Sequence, residues 1–121
     1  MEEPYFTRPG EGERTPNGHR VLAELPHLEV LELSFGPEFE GVDPHTHSDH
    51  TDSFYVLEGE VEFFRDGEWH RAVPGTFVSM PPNVEHGFRG CGGAFRVLNI
   101  HAPRVGFIDR LRARERHSQR V

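Results

Sequence analysis

Residues 45–52, with the sequence HTHSDHTD, hold three histidines and two aspartates within eight positions. Imidazole nitrogens and carboxylate oxygens are common protein ligands of divalent transition metals. Residues two apart on a strand point to the same face, so His45 and His47 can direct both imidazoles at one ion. A carboxylate shortly after them would supply a third donor, and Asp52 is better placed for this than Asp49. The stretch therefore indicates a metal site at the start of a strand.

Each of these residues also has a purely structural interpretation. Taken alone, His45 and His47 are better explained as a pair of surface histidines beside a turn, and only a matching second motif favours metal ligation. His50 departs from the two-residue phase of that pair, which indicates a place in solvent or an outer position that orients the ligands. A further imidazole must come from a distant strand, and His86 opens such a strand just after the sharp turn at residues 81–85.

The elements that must position these residues are short strands. Apolar and polar residues alternate in residues 28–35, LEVLELSF, and again in residues 95–101, FRVLNIH, as expected for half-buried strands. Turn residues separate the strands at close intervals. The clearest hairpin is at Asp66-Gly67, because a type I′ turn needs positive φ at both central residues. Many short strands at regular spacing indicate an all-β sandwich or barrel.

The ends of the chain differ from this middle part. A short helix is predicted near the C-terminus, where Phe107, Ile108 and Leu111 form an apolar face. The predicted division is an extended N-terminal arm at 1–18, a barrel at 19–103, and a C-terminal helix with an Arg-rich tail at 104–121. The arm is expected to lie across a neighbouring subunit or to stay mobile.

The spacing of the early histidines resembles the first motif of the cupin superfamily, in particular its small single-domain, type-2 members with a mononuclear metal. That motif has a His-x-His pair, three or four residues, a glutamate, six residues and a glycine. Here His45 and His47 are followed after four residues by Asp52, and Gly59 follows after six more. Asp52 is one methylene shorter than the family's glutamate, so it reaches a metal only through a closer backbone or through a water.

The second cupin motif follows in register. Gly75 is followed after five residues by Pro81, and His86 comes two residues after the turn residue Asn83. Asn83 replaces the usual glycine of this turn, and asparagine tolerates left-handed backbone well. Fifteen residues separate Gly59 from Gly75, as in compact microbial cupins.

The resemblance implies an all-β double-stranded β-helix, the jelly-roll or cupin barrel, with a short C-terminal helix. It also implies one divalent metal ion, Fe, Mn, Ni or Zn, inside the mouth of the barrel. The implied metal ligands are His45, His47, Asp52 and His86. Candidate pocket residues beside them, on faces expected to look inward, are Asn99, His101, Phe54 and Phe88.

The leading functional hypothesis is a metal-dependent cupin enzyme that acts on a small organic substrate, with dioxygenase- or isomerase-type chemistry. Open positions on the metal would take water, oxygen or a chelating substrate, and the metal would act as a Lewis acid. No catalytic residue is identified, although Glu85, or Asp52 if it does not ligate, is a candidate base. The alternative is a non-catalytic cupin that binds a metal or small molecule as a sensor, carrier or structural barrel.

The composition excludes some classes of partner and of site. The net charge of −7 argues against nucleic-acid binding, and a single cysteine excludes both an intramolecular disulfide and a Cys-based zinc site. The acidic start and the lack of an apolar run of about 18 residues predict a cytoplasmic protein without a membrane partner. The expected partners are a small molecule and a second copy of the chain, because a homodimer would cover exposed sheet edges.

Overall fold

The computed structural model describes residues 3–114, which fold into two packed antiparallel sheets and one short helix. The elements are β1 (Arg20–Leu25), β2 (Leu28–Phe35), β3 (Val42–His45), β4 (Thr51–Glu58), β5 (Val61–Arg65), β6 (Glu68–Ala72), β7 (Phe77–Met80), β8 (His86–Gly90), β9 (Phe95–Ala102) and α1 (Phe107–Arg112). One sheet has the order β1-β2-β9-β4-β7 and the other β3-β8-β5-β6. This double-stranded β-helix confirms the predicted all-β fold.

The predicted alternation places the core between the two sheets. In β2 and β9, every second residue is buried, and the inward residues Leu33 and Val97 are direct cross-strand partners. Phenylalanines fill much of the interior, with Phe35 stacked on Phe39 at 4.0 Å between ring centroids and 5.7 Å from Phe88. Burying each such side chain stabilises the fold by about 1.5–3 kcal/mol. The inward face of β9 continues past this core to Asn99 and His101.

Two turns have the backbone that the sequence predicts. Asp66 and Gly67 have φ of 53° and 79°, and their neighbours Arg65 and Glu68 pair across β5 and β6. Asn83 has φ of 68°, the left-handed conformation expected at the turn before β8. Its backbone N–H donates to the carbonyl of His47 at 2.8 Å, so the turn is tied directly to the histidine-rich loop.

The helix begins on a carboxylate from another element. Glu29 on β2 is fully buried and accepts hydrogen bonds from the backbone N–H groups of Val105, Phe107 and Ile108 at 2.8, 3.2 and 3.0 Å. The first N–H groups of a helix have no partner within the helix, and Glu29 accepts from two of them, those of Phe107 and Ile108. As predicted, Phe107, Ile108 and Leu111 form the buried face of the helix. Residues 115–121 of the predicted Arg-rich tail lie outside the described residues.

The N-terminal segment runs along the outer edge of β1. Thr7 Oγ1 donates to the carbonyl of Leu22 at 2.6 Å, and the N–H of Val21 donates to the carbonyl of Glu13 at 2.8 Å. The proposed limits of the arm and barrel remain predictions. Within residues 3–114, no helix has the length and apolar character that a membrane crossing requires.

Candidate metal centre

Three imidazoles meet where β3 and β8 pair. His45, the last residue of β3, is the cross-strand partner of His86, the first residue of β8. His47 follows just beyond β3. The ring centroids lie 4.6 Å apart for His45 and His86, 4.5 Å for His47 and His86, and 5.3 Å for His45 and His47. One ligand nitrogen from each ring lies within 4.8 Å of the other two, so strand pairing joins the two sequence motifs.

Backbone carbonyls fix the orientation of two of these rings. His45 Nδ1 donates to the carbonyl of Asp43, and His86 Nδ1 donates to the carbonyl of Val84, both at 2.9 Å. With the proton on Nδ1, Nε2 is left as the electron-pair donor. His86 Nε2 is buried and makes no hydrogen bond of good geometry, since its contact with Asp52 Oδ2 is long, at 3.5 Å. Because such unpaired buried groups are costly, this atom fits a metal ligand better than a structural histidine.

Asp52 on β4 presents one carboxylate oxygen to the imidazoles. Its Oδ2 lies 3.5 Å from His86 Nε2 and 3.8 Å from His47 Nε2. Ligand atoms about 2.1 Å from a tetrahedral ion are about 3.4 Å apart, so these distances need only small shifts to close around a metal. The aspartate therefore reaches the imidazoles despite its shorter side chain.

The other oxygen of this carboxylate is held by β9. Asn99 Nδ2 donates to Asp52 Oδ1 at 2.7 Å and to the carbonyl of Ser53 at 3.0 Å, and His101 Nε2 lies 3.2 Å from the same Oδ1. Burial alone would raise the pKa of Asp52, but the contacts from His101, His86 and Asn99 outweigh it and hold the pKa well below its usual value. Asp52 therefore stays ionised, as a metal ligand must.

We expect Asn99→Leu to weaken metal affinity by about 10- to 100-fold, because the substitution frees Asp52 to rotate away from the imidazoles. Competition with a chromophoric chelator measures this change. Ile100→Ala, on the outward face of the same strand, is the matched control and should leave the affinity as in wild type. A folded Asn99→Leu protein with wild-type affinity would show that this hydrogen bond does not orient the carboxylate.

His50 is buried, which its sequence position did not indicate. Its ring stacks on His47 at 3.9 Å between centroids, and its Nδ1 donates to Asp49 Oδ1 at 2.7 Å. Asp49, the less favoured carboxylate candidate, is thus an exposed partner of His50. A ligand atom of His50 also lies within 4.8 Å of one from His47 and one from Asp52. The two-residue phase of a strand could not place this residue, because residues 46–50 form a loop.

Burial affects the protonation of the central imidazole. Together with the neighbouring charges of His50 and His86, it lowers the pKa of His47 to about 4. At neutral pH this imidazole therefore carries no charge. That is the form in which histidine binds a metal.

Of the four candidate donors, His45, His47 and Asp52 line a cavity of about 110 Å³. Phe54 and Phe88 line it, as predicted, and α1 adds two residues that the sequence analysis did not place at the site, Phe107 and Arg110. Phe107 packs edge-on against His101 at 4.5 Å between ring centroids. Glu85, considered as a base, instead lines a different cavity of about 380 Å³ between β6 and β7, whose lining includes none of the four candidate donors.

Comparisons with known proteins agree with this architecture. A family model described as Cupin domain (Cupin_2) matches residues 32–101, more than half of the chain. Quercetin 2,3-dioxygenase of Bacillus subtilis (strain 168) is 34% identical over 92 residues. That match covers 71% of this chain and 27% of the dioxygenase, so the chain spans about a quarter of the length of this relative.

Solved structures share the fold at lower identity. KdgF from Halomonas sp. superposes with a TM-score of 0.72 at 23% identity, covering 88% of this chain and 99% of that one. An RmlC-like cupin from Shewanella frigidimarina NCIMB 400 gives a TM-score of 0.72 at 22% identity, covering 88% of this chain and 96% of the other.

Proposed function

The chain belongs to the cupin family, and from that premise we propose that it is a metal-dependent enzyme that acts on a small organic substrate by dioxygenase-type chemistry. The observation that carries the proposal is the convergence of His47, His86 and Asp52 Oδ2 on one point, with His86 Nε2 buried and otherwise unpartnered. The similarity to quercetin 2,3-dioxygenase favours this chemistry over the isomerase type.

The proposed metal ligands are His45, His47, Asp52 and His86. A bound divalent ion would supply Lewis acidity to the oxygens of a chelating substrate. The chain's own residues shape the rest of the site. Asn99 and His101 hold the carboxylate of Asp52. The rings of Phe54, Phe88 and Phe107 form an apolar wall of the cavity. Such a wall limits the access of water to the site.

Cavity size limits the substrate. About 110 Å³ is well below the roughly 300–1,000 Å³ of sites that enclose drug-sized ligands. We therefore propose a small enediol, hydroxy-ketone or hydroxy-acid, or the chelating end of a larger molecule that extends out of the mouth.

Arg110 is the one guanidinium among the described residues that line this cavity, and it is exposed. We expect Arg110→Met to raise KM about tenfold or more for substrates that carry a carboxylate, with a much smaller effect on neutral analogues, because a charge-assisted hydrogen bond is lost. Steady-state kinetics on a matched acid and amide measure the difference. Equal changes in KM for both substrates would exclude Arg110 from binding the acid.

The function is tested by loading the protein separately with Fe(II), Mn(II), Ni(II) and Zn(II) and supplying small enediols, hydroxy-ketones and flavonols. We expect oxygen uptake with incorporation of both atoms of ¹⁸O₂ into product, and none from His86→Ala or metal-free protein. Product formation without oxygen uptake would assign isomerase-type chemistry instead. No turnover with a full equivalent of bound metal would exclude the enzyme.

The position of His50 favours a second candidate function, a non-catalytic binding cupin. With His50 beside His47 and Asp52, the protein offers one further donor that would help to fill the coordination of an ion. Such a site leaves little room for a substrate. X-ray absorption of the loaded protein separates the two functions: a shell made only of protein nitrogens and oxygens indicates a closed site, and bound water indicates an open one.

A further inference from the structure

Three polar residues form a row across the inward face of the five-stranded sheet. His101 on β9 is the cross-strand partner of Glu29 on β2 and of Asp52 on β4. All three residues are buried, with exposed fractions of 0% for Glu29, 3% for His101 and 7% for Asp52. Residues directly opposite each other on antiparallel strands have Cβ atoms about 4.5–5.5 Å apart. His101 therefore lies between two buried carboxylate residues.

These two carboxylates serve different parts of the molecule. Asp52 is a candidate metal ligand, and its Oδ2 faces the imidazoles. Glu29 accepts hydrogen bonds from the backbone N–H groups of Phe107 and Ile108, where α1 starts. Within this row, His101 is thus the residue between the metal centre and the helix that lines its cavity.

The ring of His101 contacts both sides. Its Nε2 lies 3.2 Å from Asp52 Oδ1, and the ring packs edge-on against Phe107 and beside His50, at 4.5 and 4.9 Å between centroids. Its other nitrogen, Nδ1, is buried and has no hydrogen-bond partner among the described residues. Because no second hydrogen bond fixes the ring, its position depends on Asp52 and on the packing of neighbouring rings, of which Phe107 belongs to α1.

The helix itself depends on tertiary contacts. It spans six residues, whereas isolated helices shorter than about 12–15 residues are marginal in water. Its docking rests on the hydrogen bonds to Glu29, on the burial of Phe107, Ile108 and Leu111, and on the ion pairs of Arg112. Elements held in this way open locally at a free energy below that of global unfolding. We therefore expect α1 to open while both sheets stay folded.

Metal ligation would change the support under this helix. Ligation through Asp52 Oδ2, the oxygen 3.5 Å from His86 Nε2, would restrict rotation of the carboxylate. Oδ1 would then offer His101 Nε2 one fixed position, and the ring of His101 would give Phe107 a fixed surface to pack on. Such a coupling is reciprocal, so a docked helix must favour metal binding by the same factor.

We propose that His101 is a positioning residue that couples the metal centre to α1, so that metal binding and docking of the helix over the cavity strengthen each other. The metal-loaded protein then keeps Phe107 and Arg110 in the cavity wall, where a substrate meets them. The coupling rests on the metal ligands of the proposed function but not on its chemistry. Its test therefore uses Zn(II) binding and needs no turnover.

Hydrogen exchange of the full chain, with and without saturating Zn(II), tests the effect of the metal on the helix. We expect the amides of residues 107–112 to exchange about 5- to 10-fold more slowly in the loaded protein, as for a typical coupling between two sites. Amides at the tip of the β5–β6 hairpin, residues 65–68, are the internal control and should exchange equally in both states. In His101→Phe, which keeps a ring beside Phe107 but loses the contact with Asp52, saturating Zn(II) should no longer slow exchange in α1.

Competition with a chromophoric chelator tests the effect of the helix on the metal. Phe107→Ala should weaken Zn(II) binding by about 5- to 10-fold, and it should have no further effect in the His101→Phe background. Leu111→Ala is the matched control, because it removes a buried side chain from the same helix that does not line the cavity. Its Zn(II) affinity should stay close to wild type.

Three results would overturn the proposal, and they are distinguishable. Zn(II) that binds wild type without slowing exchange of residues 107–112 would separate the helix from the metal and leave the metal site intact. Equal losses of affinity in Phe107→Ala and Leu111→Ala would assign the effect to general loosening of the helix. A wild-type protein that binds no Zn(II) would remove the proposed metal site and the coupling together. The exchange comparison in wild type needs no variant, so it holds even where a substitution prevents folding.

Discussion

His86→Ala is expected to remove metal binding almost completely. The imidazole of His86 lies at the centre of the candidate site, 3.5 Å from Asp52 Oδ2 and 4.5 Å, between ring centroids, from His47. Its loss leaves a gap that neither neighbouring ring can fill, because His45 is held by the carbonyl of Asp43. The metal content of the purified protein, measured by mass spectrometry, should fall from about one equivalent in wild type to a small fraction of an equivalent in His86→Ala.

A second measurement makes this result independent of metal supply during expression. An excess of metal at about 1,000 times the dissociation constant stabilises a folded protein by about 4 kcal/mol. We expect this increase in the free energy of unfolding, measured by thermal unfolding, for wild type and for His70→Ala. His70→Ala is a control at a more exposed histidine of β6. We expect little or no shift for His86→Ala. A folded His86→Ala protein that retains a full equivalent of metal would refute the site.

Glu29→Ala is expected to destabilise the protein by about 3–5 kcal/mol. The side chain accepts hydrogen bonds from three backbone N–H groups of the segment that starts α1. Each donor left unpaired in the interior costs about 1–3 kcal/mol, partly offset because a buried charge is removed. Because total stabilities are about 5–15 kcal/mol, this is a large fraction. Urea unfolding measures the loss, and Glu40→Ala, at an exposed carboxylate, should change stability by less than about 0.5 kcal/mol.

The stabilising effect of Glu29 also depends on pH. Burial alone would raise the pKa of Glu29, but the hydrogen bonds from Ile108, Val105 and Phe107 outweigh it and lower the pKa below the ordinary value. A lowered pKa means that the stabilisation is complete above the unfolded pKa of about 4.3 and is lost as the pH falls through the folded pKa. The advantage of wild type over Glu29→Gln should therefore be largest at neutral pH and shrink below about pH 4. A difference that stays constant from pH 7 to pH 3 would contradict this origin.

Local sequence features were sufficient to predict the strands and the hairpin. The alternation in residues 28–35 and 95–101 is a property of neighbouring residues, and so is the need for positive φ at Asp66 and Gly67. Each is fixed by backbone sterics and by burial of one face of a sheet. Such features do not depend on which strands pair.

Contacts between distant residues were only partly predictable. The approach of His86 to the early histidines was predicted from the order of two motifs rather than from the chain's own periodicity, and it depends on the register between β3 and β8. That Asp52 reaches this point, despite its shorter side chain, depends on Asn99, which is 47 residues away in the sequence. No local pattern encodes such a register.

The helix shows the same division. Its apolar face was evident from the sequence. The hydrogen bonds from its first N–H groups to Glu29, and the place of Phe107 and Arg110 in the cavity lining, were not. Arg112 bonds Glu13 and Glu24, so this part of the Arg-rich end lies against its own domain. These contacts join elements that lie about 80 to 100 positions apart in the sequence.

The sequence by itself determined the types of candidate metal donor, the strand pattern that carries them and the fold. The tertiary structure decided which donors meet, which oxygen of Asp52 is free and which, through Asn99 and His101, is held. It also decided that His50 is buried and which residues close the cavity. The physical reason is that side-chain type and alternation act over a few residues, whereas a metal site depends on distances between atoms that only strand register and loop conformation set.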